Sequence, residues 1–150
     1  GCYRDYFIDF GNYDYDWSSR ISQKFHAQNI PHFLYHVLVT PQSNSRSINN
    51  PKKLISDKVV QFLINERMEV EKDAIERNDL DKLKTLETKL LEPFYRDKAL
   101  IYRKTADLNW FINDKKSYLT SSVKAVKSDP LNVINWKYLI KGLLSCILRK

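Results

Sequence analysis

The sequence predicts a mostly helical α+β protein, in which a short aromatic, β-leaning segment precedes a helical bundle. Three observations carry that expectation. Aromatic residues crowd residues 1–50, apolar residues recur at helical spacing through 52–104, and 105–150 read as a helix pair. With 43% hydrophobic and 29% charged residues in a chain of 150, there is enough apolar side chain for a real core. No stretch reaches the roughly 18 uncharged apolar residues of a membrane span, and no signal-peptide pattern opens the chain. Starting at Gly1 inside an aromatic run, it reads as a piece of a longer protein.

Taken in order, Tyr3, Tyr6, Phe7, Phe10, Tyr13, Tyr15 and Trp17 come first, and residues 17–27 are expected to form a short helix with Ile21 and Phe25 on one face. Residues 30–39 are large and β-branched and are opened by Pro31, which reads as a strand. Residues 40–51, TPQSNSRSINNP, are a loop by their Pro, Ser and Asn content, and set an expected boundary between residues 1–50 and 51–150. Beyond it Leu54, Ile55, Val59, Phe62, Leu63, Val70 and Ala74 keep helical spacing. Asn78-Asp79 interrupts them, with Asp79 placed to cap a second helix carrying Leu80, Leu83, Leu86, Leu90 and Leu91. Pro93 marks the next expected boundary.

In the last segment Trp110, Tyr118, Val123 and Val126 support one helix, and Asp129-Pro130 ends it and opens another. That final helix carries a narrow polar stripe, Lys137, Lys141, Ser145 and Arg149, within an otherwise apolar surface that includes Trp136, Leu139, Ile140, Leu143, Leu144 and Ile147. An apolar face this wide must be buried by something. It either docks on the preceding helix or rests on an anionic membrane surface.

The +7 net charge is unevenly spread: residues 1–50 are neutral, while 105–150 carry eight basic against three acidic residues. Basic charge of this kind suits nucleic acid or anionic lipid. The aromatics lie in the neutral first third, apart from the basic residues, so stacking and phosphate contacts are not interleaved and a nucleic-acid partner is not expected. Cys2 and Cys146 have no metal-ligand or redox spacing and read as reduced thiols.

Few residues could carry chemistry. Asp14 and Asp16, in NYDYDW, lie on one side of an extended segment but splay apart on a helix. Either could take a proton from an acceptor hydroxyl, or both could cap the helix that follows. His26, His32 and His36 lack the acidic partner that a metal site would need. A phosphate-binding glycine loop is not available in a chain of three glycines.

The run from Asn12 to Arg46, NYDYDWSSRISQKFHAQNIPHFLYHVLVTPQSNSR, resembles the end of the catalytic domain of family 2, GT-A fold glycosyltransferases. Asp14 falls on the acid that this family uses as base toward the acceptor. Asp16, Arg20 and Ile21 fall on the helix after it, Asn29, Ile30, Pro31, Leu34 and Tyr35 on the strand, and Pro41, Ser43, Ser45 and Arg46 on the closing loop. Residues 109–145 are similar to the tetratricopeptide-like helical ending of many such enzymes. Three positions depart: Tyr13 replaces the Glu of the acidic pair, and Leu38 and Thr40 stand where an Arg and a His often serve the donor diphosphate and metal.

The resemblance implies a GT-A remnant over residues 1–50 and a helical accessory region over 51–150. The parent would move a sugar from a nucleotide sugar to a glycan or lipid-linked acceptor, with Asp14 as catalytic base and Asp16 and Arg20 as acceptor-side support. No cofactor or metal site is expected in this chain. The nucleotide sugar and its divalent Mn or Mg would belong to an upstream nucleotide-binding half, without which the chain is silent. The implied location is cytoplasmic, peripheral to the inner face of the membrane. A helical protein-interaction module without catalytic activity is the alternative.

Overall fold

The computed structural model describes residues 2–36 and 50–147. Among them are six α-helices and no strand, so the mostly helical expectation holds. The helices are α1 (Tyr13–Lys24), α2 (Pro51–Val70), α3 (Leu80–Arg96), α4 (Leu100–Phe111), α5 (Lys115–Ser128) and α6 (Val133–Ile147). The chain divides into two compact units, residues 1–90 and 91–150.

In the first unit a single 3-10 turn, Asp5–Phe7, buries Phe7 and leads to Phe10, also buried. Tyr6 stacks on Phe10 at 5.1 Å, and its hydroxyl donates to Glu87 Oε1 at 2.6 Å. Burial, and then the Glu87 carboxylate, push that hydroxyl far above the ordinary tyrosine range. Gly11 and Asn12 both take positive φ, 71° and 57°, a reversal open to this residue pair, and α1 starts immediately after them. The helix therefore begins four residues earlier than the expected 17–27, and Asp14 and Asp16 sit in its first turn, where the helix dipole favours acids.

Pro51 at the first turn and the Asn50 carboxamide, which accepts from Lys52 N at 3.0 Å, open α2. One face of α2 buries Ile55, Val59, Val60 and Leu63. The helix stops at Val70, so Ala74 lies beyond it; Ala74 is buried in the turn before α3, where its N–H donates to Glu66 Oε2 at 2.7 Å. Asp79 caps α3 through Lys82 N at 3.2 Å, as its position in the sequence suggested.

The strand expected over residues 30–39 is not formed in its described part. Residues 30–36 have no regular secondary structure, and Ile30, Phe33, Leu34 and Tyr35 are exposed. A strand needs a neighbour to take its N–H and C=O groups, and no other strand lies among the described residues to do so. Residues 37–49 lie outside the described residues, and with them Leu38, Thr40, Pro41, Ser43, Ser45 and Arg46.

Pro93 does not end α3, which runs to Arg96. Proline has no N–H to offer the carbonyl four residues back, but in the last turn that costs a single bond. Its own carbonyl still accepts from Asp97 N at 3.0 Å.

The second unit packs α4, α5 and α6 against one another. The single helix expected through Trp110, Tyr118 and Val126 is two helices. Asn113 turns left-handed (φ 59°) and Asp114 caps α5 by accepting from Ser117 N at 3.1 Å. Pro130 lies in the turn before α6, and Asn132 supplies the cap through Ile134 N at 3.0 Å. At the centre Tyr118 is buried; its hydroxyl donates to the Tyr138 carbonyl at 3.0 Å. Arg103 is also buried, donating to Asn135 Oδ1 at 2.7 Å and to Asp97 Oδ2. Asn135 in turn donates to the Asp129 carbonyl at 2.7 Å. Gly142 lets α6 approach closely: a Cβ there would lie 2.6 Å from Leu119 Cδ2 and 2.8 Å from Tyr118 Cε1.

Candidate functional site

Residues two apart on a helix lie about 200° apart round its axis, and α1 uses that angle to give its two acids opposite environments. Asp16 is 0% exposed, whereas Asp14 stands in solvent. Asp16 Oδ2 accepts from Arg20 Nε at 3.0 Å, one turn on, and Oδ1 lies 3.4 Å from Arg4 Nη1 and 3.8 Å from Arg67 Nη1. Arg20 Nη2 also donates to the Cys2 carbonyl at 2.9 Å. Of the three residues singled out in the sequence, Asp16 and Arg20 are thus brought together and Asp14 is set apart from them.

A second buried carboxylate completes the cluster. Asp73 Oδ2 accepts from Arg67 Nη1 at 2.5 Å and Arg4 Nη1 at 2.7 Å, while its Oδ1 accepts from Glu76 N at 3.0 Å. Burial alone would raise its pKa, but the Glu76 N–H and the two guanidinium groups outweigh that and hold the carboxyl below the usual range. Arg67 reaches further along α1, donating to Ser19 Oγ at 2.9 Å and Gln23 Oε1 at 2.6 Å. A neighbouring centre works the same way: against burial, Lys82 (2.5 Å), Arg77 (2.7 Å) and the Ala74 N–H hold the Glu66 pKa down. Arg4, Arg67 and Asp73 were not singled out from the sequence. Their ion-pair partners lie from 6 to 72 residues away, so no local spacing announces them.

This cluster fixes α1 against α2 and the turn that follows it. The outer side of α1 is consequently a defined surface. Asp14 Oδ1 accepts from Tyr15 N at 2.9 Å. One residue before and three residues after Asp14 stand Tyr13 and Trp17, whose rings are exposed. Tyr3 meets both, edge-on to Tyr13 at 5.0 Å and tilted to Trp17 at 6.0 Å. Along another flank of the helix a shallow groove of about 460 Å³ runs between Tyr15, Ser18, Ser22 and Ile64.

Among the described residues no three His, Cys, Asp or Glu side chains gather as a metal ion would require. His26, His32 and His36 are exposed, and Cys2 and Cys146 are exposed free thiols. No helix is long and apolar enough to cross a membrane, among the residues described. No protein-family model, no curated protein and no solved structure matches the chain.

Proposed function

We propose that this chain is the acceptor-side part of an enzyme that transfers a sugar from a nucleotide sugar to a glycan or lipid-linked acceptor. The observation that supports this reading is the division of labour within α1: Asp16 and Arg20 hold the helix, and Asp14 is left facing solvent at its N-terminal end, which also carries the exposed rings of Tyr13 and Trp17. Asp14 Oδ1 is engaged by Tyr15 N, which leaves Oδ2 to take the proton of an acceptor hydroxyl as its oxygen attacks the sugar. Tyr13 and Trp17 offer flat apolar faces against which the C–H face of a sugar ring can rest. Binding of the nucleotide sugar and of a divalent metal falls to a nucleotide-binding half upstream, in keeping with the resemblance of residues 12–46 to the end of a GT-A catalytic domain.

The test is Asp14→Asn in the full-length parent. Loss of a general base lowers turnover by about 10²–10⁴-fold. Since Asp14 is exposed, thermal stability should change by less than about 0.5 kcal/mol, and nucleotide-sugar affinity should not change. Turnover above half of normal ends the assignment of Asp14 as base. A second reading, a helical interaction module without catalytic activity, is favoured by the outward face of α6. It predicts a parent whose turnover is indifferent to Asp14.

A further inference from the structure

Helix α6 is built the wrong way round for a core helix. The residues it turns inward are Asn135, Tyr138 and Gly142, of which Asn135 is 0% exposed. The side it turns outward carries Val133, Trp136, Ile140, Leu143, Leu144 and Ile147, and these are between 44% and 68% exposed. At about 100° per residue they form one stripe along the helix, flanked on one edge by Lys137 and Lys141. Lys141 Nζ lies 4.0 Å over the ring of Trp110, whose neighbours Phe111 and Ile112 are exposed as well. An apolar surface of this extent, rimmed by cationic side chains, marks a contact site.

The charge indicates what the contact is. Residues 1–90 hold 13 basic and 13 acidic residues, whereas residues 91–150 hold 12 basic and five acidic, so the whole net charge of +7 belongs to the second unit. From Pro130 to the end there are four basic residues and no acid. Four of the five acids in the second unit have a partner within it: Glu92 accepts from Arg96, Asp97 from Arg103 and Asp107 from Tyr138, and Asp114 caps α5. A second copy of the chain seated on α6 would bring like charges together with no carboxylate on either helix to meet them. An anionic lipid surface answers both features, because it takes the apolar stripe into its acyl boundary and the lysines at its headgroups.

We propose that α6 is a docking surface for anionic lipid membranes. It lies flat in the interface, with Ile140, Leu143, Leu144 and Ile147 inserted, Trp136 at headgroup depth, and Lys137 and Lys141 on the phosphates. The inference stands apart from any role of Asp14 and survives or fails separately from it.

Co-sedimentation of the chain with vesicles of equal parts phosphatidylglycerol and phosphatidylcholine tests it, at low and high salt, with pure phosphatidylcholine alongside. Binding is expected to the anionic vesicles at low salt, and to weaken at high salt as the Debye length shrinks to about 3 Å at 1 M. Each lysine near an anionic surface adds about fivefold to partitioning, so Lys137→Ala with Lys141→Ala should weaken it roughly thirtyfold. Leu143→Glu should abolish it, and because Leu143 is exposed the variant should keep the helical circular dichroism of the parent. A chain that stays in the supernatant at low salt overturns the proposal. So does equal capture by neutral vesicles, binding unchanged in Leu143→Glu, or a stable dimer that Leu143→Glu dissolves while vesicles are ignored.

Discussion

Replacing Asp73 by Ala should be among the most damaging single changes in the first unit. Its carboxylate is fully buried and accepts three bonds, from Arg67 Nη1, Arg4 Nη1 and Glu76 N. The two guanidinium groups it serves are themselves only 12% and 6% exposed. Removing one partner of a buried ion pair costs about 3–5 kcal/mol, because the charge left behind has lost its compensation. Here the loss is not total. Arg4 keeps Glu76 at 3.3 Å and Asp16 at 3.4 Å, and Arg67 keeps Ser19 and Gln23. The lower end of the range applies, with about 1 kcal/mol added for the lost hydrogen bond from Glu76 N, which gives about 4 kcal/mol. Against the roughly 5–15 kcal/mol that holds a typical domain, that is enough to loosen α1 from α2. Native-state hydrogen exchange on the amides of α1 and α2 reads the opening free energy directly. Asp73→Asn, which keeps an acceptor oxygen and loses only the charge, should fall between the two. A loss below about 1 kcal/mol in Asp73→Ala would refute the view that this cluster clamps α1.

Two further outcomes follow from the same structure. Asp73 and Glu66 both have pKa values held down in the folded state, so their contribution is present above the unfolded carboxylate pKa of about 4 and is lost as pH falls through the depressed folded values. Acid titration followed by α2 amide protection should show that loss, and Asp73→Asn should flatten it; a slope unchanged by the substitution would count against the assignment. In the second unit, Gly142→Ala gains about 1 kcal/mol of helix propensity but forces a Cβ to within 2.6 Å of Leu119 and 2.8 Å of Tyr118. Overpacking of this kind costs about 1–3 kcal/mol, so a lower melting temperature is expected, and a higher one would show that α6 can shift outward freely.

How far the sequence could be read is clearest at two identical dipeptides. Asn78-Asp79 and Asn113-Asp114 do the same thing: the Asn turns left-handed, at φ 57° and 59°, and the Asp caps the next helix. The first was legible because it breaks the helical spacing that runs from Leu54 to Ala74 and is followed by a new series of leucines. The second was missed because apolar residues on both sides, Trp110 and Tyr118, suggested one continuous helix. The start of α1 was misplaced for a related reason, since Tyr13, Tyr15 and Trp17 have β-forming preferences, and packing through Asp16 and Ser19 overrode them. At the candidate site the pairing of Asp16 with Arg20 follows from their i, i+4 spacing. The other half of the cluster, Arg4, Arg67 and Asp73, is made by tertiary approach, which no periodicity encodes. For α6 the pattern revealed how apolar the helix is, but not which side of it faces in, because Gly142 and Asn135 look like interruptions of an apolar face and are in fact its buried side.

That inversion separates two properties that most helices bind together. The attachment of α6 rests on Gly142, on Asn135, whose amide is satisfied at both ends, and on Tyr138, which stacks on Tyr118 and donates to Asp107, so the anchorage lies on the side away from Ile140, Leu143, Leu144 and Ile147. These four are about half exposed or more, and exchanging them should cost the three-helix unit far less than a change at Asn135, Tyr138 or Gly142. Selection, or a protein engineer, can therefore retune what α6 presents to its surroundings as freely as a loop is retuned, while keeping the rigidity of a helix.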